Sequence, residues 1–174
     1  MTGERIILGG APEGYDARLL ARELERGRPV LHIARDDKRM EAMRAALAVM
    51  APGVVVLDLP AWDCLPYDRV SPNPEISARR MATLAALAHG VAGPFVLLTT
   101  MNAATQRIPA RAVLRGASFS AQVGQRVNED ALRQFLSRMG FSPVATVAEP
   151  GDYAISGGIV DIYPPGPGGP VRLD

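Results

Sequence analysis

LPAWDCLPYDRVSPNPEISARR, Leu59 to Arg80, is the stretch on which the fold turns. It carries Pro60, Pro66, Pro72 and Pro74, with the only tryptophan, Trp62, and Tyr67 between them. Proline fixes φ and removes a backbone donor, so the tract is excluded from a central strand and from a helix interior. A flexible Pro-rich linker lacks such rings. Large aromatics at fixed offsets predict an ordered loop, packed at a functional or domain-joining surface.

Outward from this loop the chain alternates. Pro52 and Gly53 punctuate, and Val54 to Leu59 reads as a strand leading into the loop. Beyond it Ile76 to Ala88 reads as a helix with Met81, Leu84, Ala85 and Ala88 on one face, then Pro94 to Thr99 as a strand. Upstream, Ile6 to Leu8 is a short apolar run ending in Gly9-Gly10. Asp16 is placed to cap a helix bearing Ala17, Leu20, Ala21 and Leu24, with Gly27 at its C-terminus. Val30 to Ala34 reads as a further strand. Asp36 or Asp37 caps a helix with Met40, Met43, Leu47 and Met50 at helical spacing. Strands alternating with helices of this length predict an α/β domain whose mostly parallel sheet is covered on both faces.

The pattern changes near Ile108-Pro109. Asn128 with Glu129 and Asp130 starts a helix striped with Leu132, Phe135, Leu136 and Met139 and stopped by Gly140. Val144 to Val147 and Tyr153 to Tyr163 read as strands, the second interrupted by Gly157-Gly158. We therefore expect an α/β domain over 1–107 and a small α+β domain over 108–174. The terminal VRLD reads as the start of another strand, which predicts a piece of a longer protein. The low-complexity tract PPGPGGP, Pro164 to Pro170, precedes it.

Composition narrows the function. Nineteen basic and eighteen acidic side chains leave a net charge of +1, which gives no overall electrostatic footprint for nucleic acid. Eighteen of the basic residues are Arg and Lys38 is the only Lys, a pattern that reads as composition bias together with the Ala content. One cysteine, Cys64, excludes an internal disulfide and a Cys-based zinc site. No leader precedes Ile6 and no apolar run is long enough to span a bilayer, so the expected location is cytoplasmic.

The candidate chemistry is sparse. Gly9 and Gly14 have the spacing of a phosphate-binding loop, G-x-x-x-x-G-K-[ST]. Tyr15 stands at the lysine position and Asp16 at the Mg²⁺-ligating Ser/Thr position. A carboxylate there repels a triphosphate and no ammonium holds the β/γ-phosphates. The loop reads as a turn of P-loop geometry without its chemistry, with no cofactor expected. His32 alternates with Leu31 and Ile33 and reads as a core or edge histidine. His89 complements a helix C-terminus. These two histidines have no metal-ligand spacing. Asp63 and Asp68 read as turn formers, Cys64 as packing, and Arg79-Arg80 as a solvated helix face rather than a phosphate clamp. For Arg107, Arg111 and Arg115 ion pairs are expected before DNA contacts.

Four segments in order resemble the N-terminal, UvrB-like module of the bacterial transcription-repair coupling factors (Mfd). They are Gly9 to Asp16, Leu59 to Arg80, FVLLTTMNAATQRIP (Phe95 to Pro109), and VGQRVNEDALRQFLSRMGF with EPGDYAISGGIVDIYPPG. The resemblance implies a helicase-like first domain that has lost its nucleotide site and a second domain that docks onto UvrA. The family's docking motif, G-[ED]-[FY]-x-x-R-G-x-x-[LIV]-[DE]-[LIV]-[FY]-P, is met at Gly151, Asp152, Tyr153, Gly157, Asp161, Tyr163 and Pro164, but its Arg position holds Ser156. Serine cannot make the bidentate charged contact of Arg. The partner residues expected on this basis are Ser156, Tyr153, Ile155, Arg126 and Arg138. Between Tyr67 and Arg79 there is no room for the long aromatic hairpin with which UvrB grips DNA. The implied role is recruitment without catalysis. RNA polymerase binding and ATP-driven DNA translocation would belong to the rest of the parent chain. The alternatives are a nucleotide-binding helicase domain, opposed by Tyr15, and an intramolecular clamp on the C-terminal part of the same chain.

Overall fold

A computed structural model describes residues 5–65, 67–165 and 168–174. Pro66 of the aromatic tract, Gly166 and Pro167 of the Pro-Gly tract, and the residues before Arg5 lie outside them. The chain divides into two compact units: Met1–Ala61 with Val91–Gln106, and Trp62–Gly90 with Arg107–Asp174. The second unit thus includes the aromatic-proline tract from Trp62 onward and the helix after it, which were expected within the first 107 residues.

The first unit holds α1 (Tyr15–Glu25), β1 (Val30–Ala34), α2 (Asp37–Met50), β2 (Val55–Leu59), β3 (Phe95–Thr100) and the single turn α4 (Met101–Ala104). Its three strands are parallel, in the order β1-β3-β2. Asp36 caps α2, its carboxylate accepting from Arg39 N at 2.8 Å. Gly27, at φ 76°, ends α1 where a residue with a Cβ would be strained. Helical spacing on α1 and α2 brings Ala17, Leu24, Met40, Met43 and Leu47 against Ala34, Val96 and Leu98 of the sheet.

Three expectations are corrected here. Ile6 to Leu8 forms no strand and is exposed. Asp16 does not cap α1. Gly14 occupies the N-cap with no side-chain bond, and Asp16 lies inside the first turn. The sheet of this unit is not covered evenly: its core lies on the α1/α2 side, while Leu31 and Ile33, on the opposite face of β1, are 58% and 43% exposed. Alternation along β1 gives the reason, because odd and even positions point to opposite faces.

The second unit holds α3 (Pro74–His89), α5 (Arg111–Gly116), α6 (Glu129–Arg138), β4 (Ser142–Pro143), β5 (Asp152–Ser156), β6 (Ile159–Ile162) and β7 (Val171–Leu173). The strands form one sheet in the order β4-β5-β6-β7. Only β4 and β5 are parallel. The strand expected over Val144 to Val147 is displaced. The paired strand is Ser142–Pro143, with Val144 N still donating to the Tyr153 carbonyl, and the chain turns farther on, where the Asp152 carboxylate accepts from Ala148 N and Glu149 N. Leu132 and Leu136 of α6 pack on Tyr153, Val160 and Ile162, with Val127, Phe135, Phe141, Ile155 and Leu173 around them.

Of the two rings in the aromatic-proline tract expected to pack, Tyr67 is 97% exposed and Trp62 is engaged. Asn73 caps α3, accepting from Glu75 N at 2.8 Å, and Pro74 takes the first helical position, where no donor is lost. Asp63 accepts from Asn73 N, which ties the start of the loop to the start of the helix. The Arg80 guanidinium stacks on Trp62, 4.4 Å from the ring centroid. Arg80 is 1% exposed, so it is a buried stacking partner rather than a solvated helix face. The helix turns Ala78, Arg80, Thr83, Leu84 and Ala88 inward, and Met81 faces out.

Candidate docking face of the second unit

The GDYAISGGIVDIYP segment builds a hairpin, and most of its residues are spent on the fold. Gly151 has φ 98°, which an L side chain rarely adopts. Asp152 holds the 148–149 turn. Tyr153 is 7% exposed, in the core under α6. Gly157 and Gly158, at φ 60° and 88°, are the two turn residues between β5 and β6, the type I′ pattern that matches strand twist.

What remains for a partner follows from strand alternation. Tyr153 pairs with Ile162 and Ile155 with Val160, all on the core side. Ala154 pairs with Asp161, Asp161 with Arg172, and Ser156 with Ile159, which puts these residues on the outer face. Of the expected partner residues, Ser156 is therefore exposed on this face. Tyr153 is buried in the core and Ile155 is half-buried against it, because the odd-even register turns both toward α6.

Arg126 and Arg138 are both exposed but belong to another part of the unit. Arg126 precedes α6. Arg138 ends α6, with its guanidinium 5.8 Å from the Phe135 ring centroid. Phe135 in turn meets Phe119, centroid to centroid at 5.7 Å.

The outer sheet face contains a charged pair that the sequence reading missed. Arg172 donates through Nε and Nη2 to the two oxygens of Asp161, at 2.7 and 2.8 Å. This fork holds the Asp161 carboxyl below its ordinary range and raises Arg172, in both cases chiefly through the hydrogen bond. The alternation of VDI against VRL could have signalled it, had VRLD been paired with β6.

The phosphate-loop residues have a different geometry. Gly10 and Gly14 have positive φ. Asp16 accepts from Ala17 N at 3.0 Å and takes a 2.7 Å ion pair from Arg39 of α2, which also reaches Glu13. The loop's carboxylates are met by the chain's own arginine. Among the described residues no group of three or more His, Cys, Asp or Glu could hold a metal ion, and no helix is long and apolar enough to cross a membrane.

Residues 119–174 match the family model of the UvrB interaction domain. The chain is also similar along its length to curated proteins called transcription-repair-coupling factor. That of Escherichia coli (strain K12) is 34% identical over 174 residues, covering 99% of this chain and 15% of the relative. That of Myxococcus xanthus is 30% identical, with 99% and 15% covered. That of Mycobacterium tuberculosis (strain CDC 1551 / Oshkosh) is 30% identical, with 95% and 14% covered. The resemblance to the transcription-repair-coupling factors holds along the whole chain. The chain spans about 15% of the length of these relatives. The matched domain is named for interaction, and its 119–174 span contains every residue of the α6–sheet core.

Proposed function

We propose that this chain is the recruitment module of a transcription-repair coupling factor and that its second unit docks UvrA, without catalysis of its own. The observation that carries the reading is the division of labour in the hairpin. Gly151, Asp152, Tyr153 and Gly157 of the docking motif serve the fold, while the family's Arg position, Ser156, stands exposed on the same sheet face as the Asp161–Arg172 pair. Arg is frequent among residues that dominate interface energies. With Ser at 156, Arg172 supplies a cation on this face, and a partner carboxylate would compete with Asp161 for it.

The test is surface plasmon resonance of the chain against purified UvrA. Arg172→Ala is expected to weaken binding. Ser156→Arg is expected to tighten it by about 1–2 kcal/mol, the scale of a charge-assisted hydrogen bond. Arg126→Ala and Arg138→Ala test those two expected positions separately. If removal of residues 108–174 leaves UvrA binding intact, the docking assignment is wrong.

A further inference from the structure

Between Glu75 and Glu129 the sequence contains no carboxylate side chain, yet it carries Arg79, Arg80, Arg107, Arg111, Arg115 and Arg126. All six belong to the second unit. Arg80 is spent on Trp62. Arg111 and Arg115, one helical turn apart on α5, are exposed and converge on a single neutral acceptor. Their Nε atoms donate to the Ala88 carbonyl at 2.9 and 2.7 Å. The ion pairs expected for them do not form: among the described residues neither has a carboxylate within ion-pair distance.

One arginine would suffice to cap the C-terminus of α3, where the helix dipole favours a cation. A second guanidinium on the same oxygen gains the same dipole attraction but meets the first at close range, and the two effects are of similar size. Capping therefore explains one arginine and not the pair. Each Nε bond also leaves that guanidinium's Nη donors without an acceptor among the described residues. A pair of planar forks with like charge and unspent donors is complementary to a tetrahedral oxyanion.

We propose that the Arg111–Arg115 pair at the end of α3 is a contact site for the phosphodiester backbone of nucleic acid. The site is independent of the outer sheet face and reads no sequence. Phosphate is favoured because no carboxylate stands between Glu75 and Glu129 in sequence and none lies within ion-pair distance of either arginine among the described residues, a local excess of positive charge that the net charge of +1 conceals. A site of two arginines gives weak binding, visible at low salt and lost as salt rises.

The experiment is fluorescence anisotropy of a short labelled DNA duplex titrated with the 174-residue chain at about 50 mM salt and upward. The wild type is expected to bind with a dissociation constant of about 10–100 μM at the low end. Arg111→Gln with Arg115→Gln should weaken binding several-fold and reduce the slope of log affinity against log salt by about 2. The pair Arg26→Gln and Arg28→Gln, which removes the same charge from the first unit, should leave the slope unchanged. Arg111→Lys with Arg115→Lys keeps the charge without the fork. It should fall between wild type and the Gln variant, and it serves if the Gln variant does not fold. No binding by the wild type at low salt, or equal slopes for wild type and Gln variant, overturns the proposal. So does binding that appears only with a polyglutamate peptide, which would make the pair a protein contact. UvrA binding is read separately and fails or survives on its own.

Discussion

His32 sits on the α1/α2 side of β1 and is half-buried, with Asp16 and Arg39 as its charged neighbours. Burial lowers its pKa below the ordinary value. Asp16 opposes that shift and Arg39 adds to it. A histidine with a lowered folded pKa makes the unfolded chain the better proton binder below about 6.5. Stability is therefore flat above that pH and falls as pH drops through it toward the folded pKa. Urea unfolding at pH 7.5 and 5.5 checks this, and His32→Leu should shrink the difference between the two curves. A second expectation concerns Tyr15 and Asp16. Asp16 is already engaged by Arg39, and no lysine is present at position 15, so calorimetry with Mg-ATP should show no binding tighter than about 100 μM, roughly −5.5 kcal/mol. The sequence misjudged Arg80, because nothing local reveals that a ring eighteen positions upstream will lie under its guanidinium.

Among the elements, helices were more legible than strands. Asn128 caps α6, its side chain accepting from Ala131 N at 2.9 Å, and Gly140 follows at φ 82°. Such signals are local, so the sequence carries them openly. Asn128→Ala should cost about 1 kcal/mol, measured as a shift in the chemical-denaturation midpoint. The strands depended on partners. β1 spans the five residues expected, and its pairing with β3 is long-range. Ile6 to Leu8 has the composition of a strand but forms none among the described residues, and the strand expected at Val144 to Val147 lies instead at Ser142–Pro143. Strand propensity measures fit to a neighbouring strand, and a single segment does not name its neighbour.

For the whole molecule, the second unit is discontinuous, with α3 joined to α5 through the Ala88 carbonyl. The α6–sheet core needs none of that part, since all its members lie between Val127 and Leu173. A fragment of residues 119–174 is therefore expected to show native-like circular dichroism and a cooperative, low-temperature melt. Marginal stability follows from its size, because small domains bury a small fraction of their surface. A fragment that shows only a random-coil spectrum would place the core's stability in α3 and α5. By itself the sequence determined the alternation of helices and parallel strands, the Asn128 cap of α6, the Gly157-Gly158 turn and the docking-type motif, since each is written in neighbouring residues or a short period. Only the tertiary structure decided which side of each strand is buried. That choice put Tyr153 and Ile155 inside and Ser156 and Arg172 outside, brought Arg111 and Arg115 to one carbonyl, and joined Trp62–Gly90 to the second unit. The physical reason is that facing and pairing are set by contacts between residues distant in sequence, and these are fixed when the whole core closes.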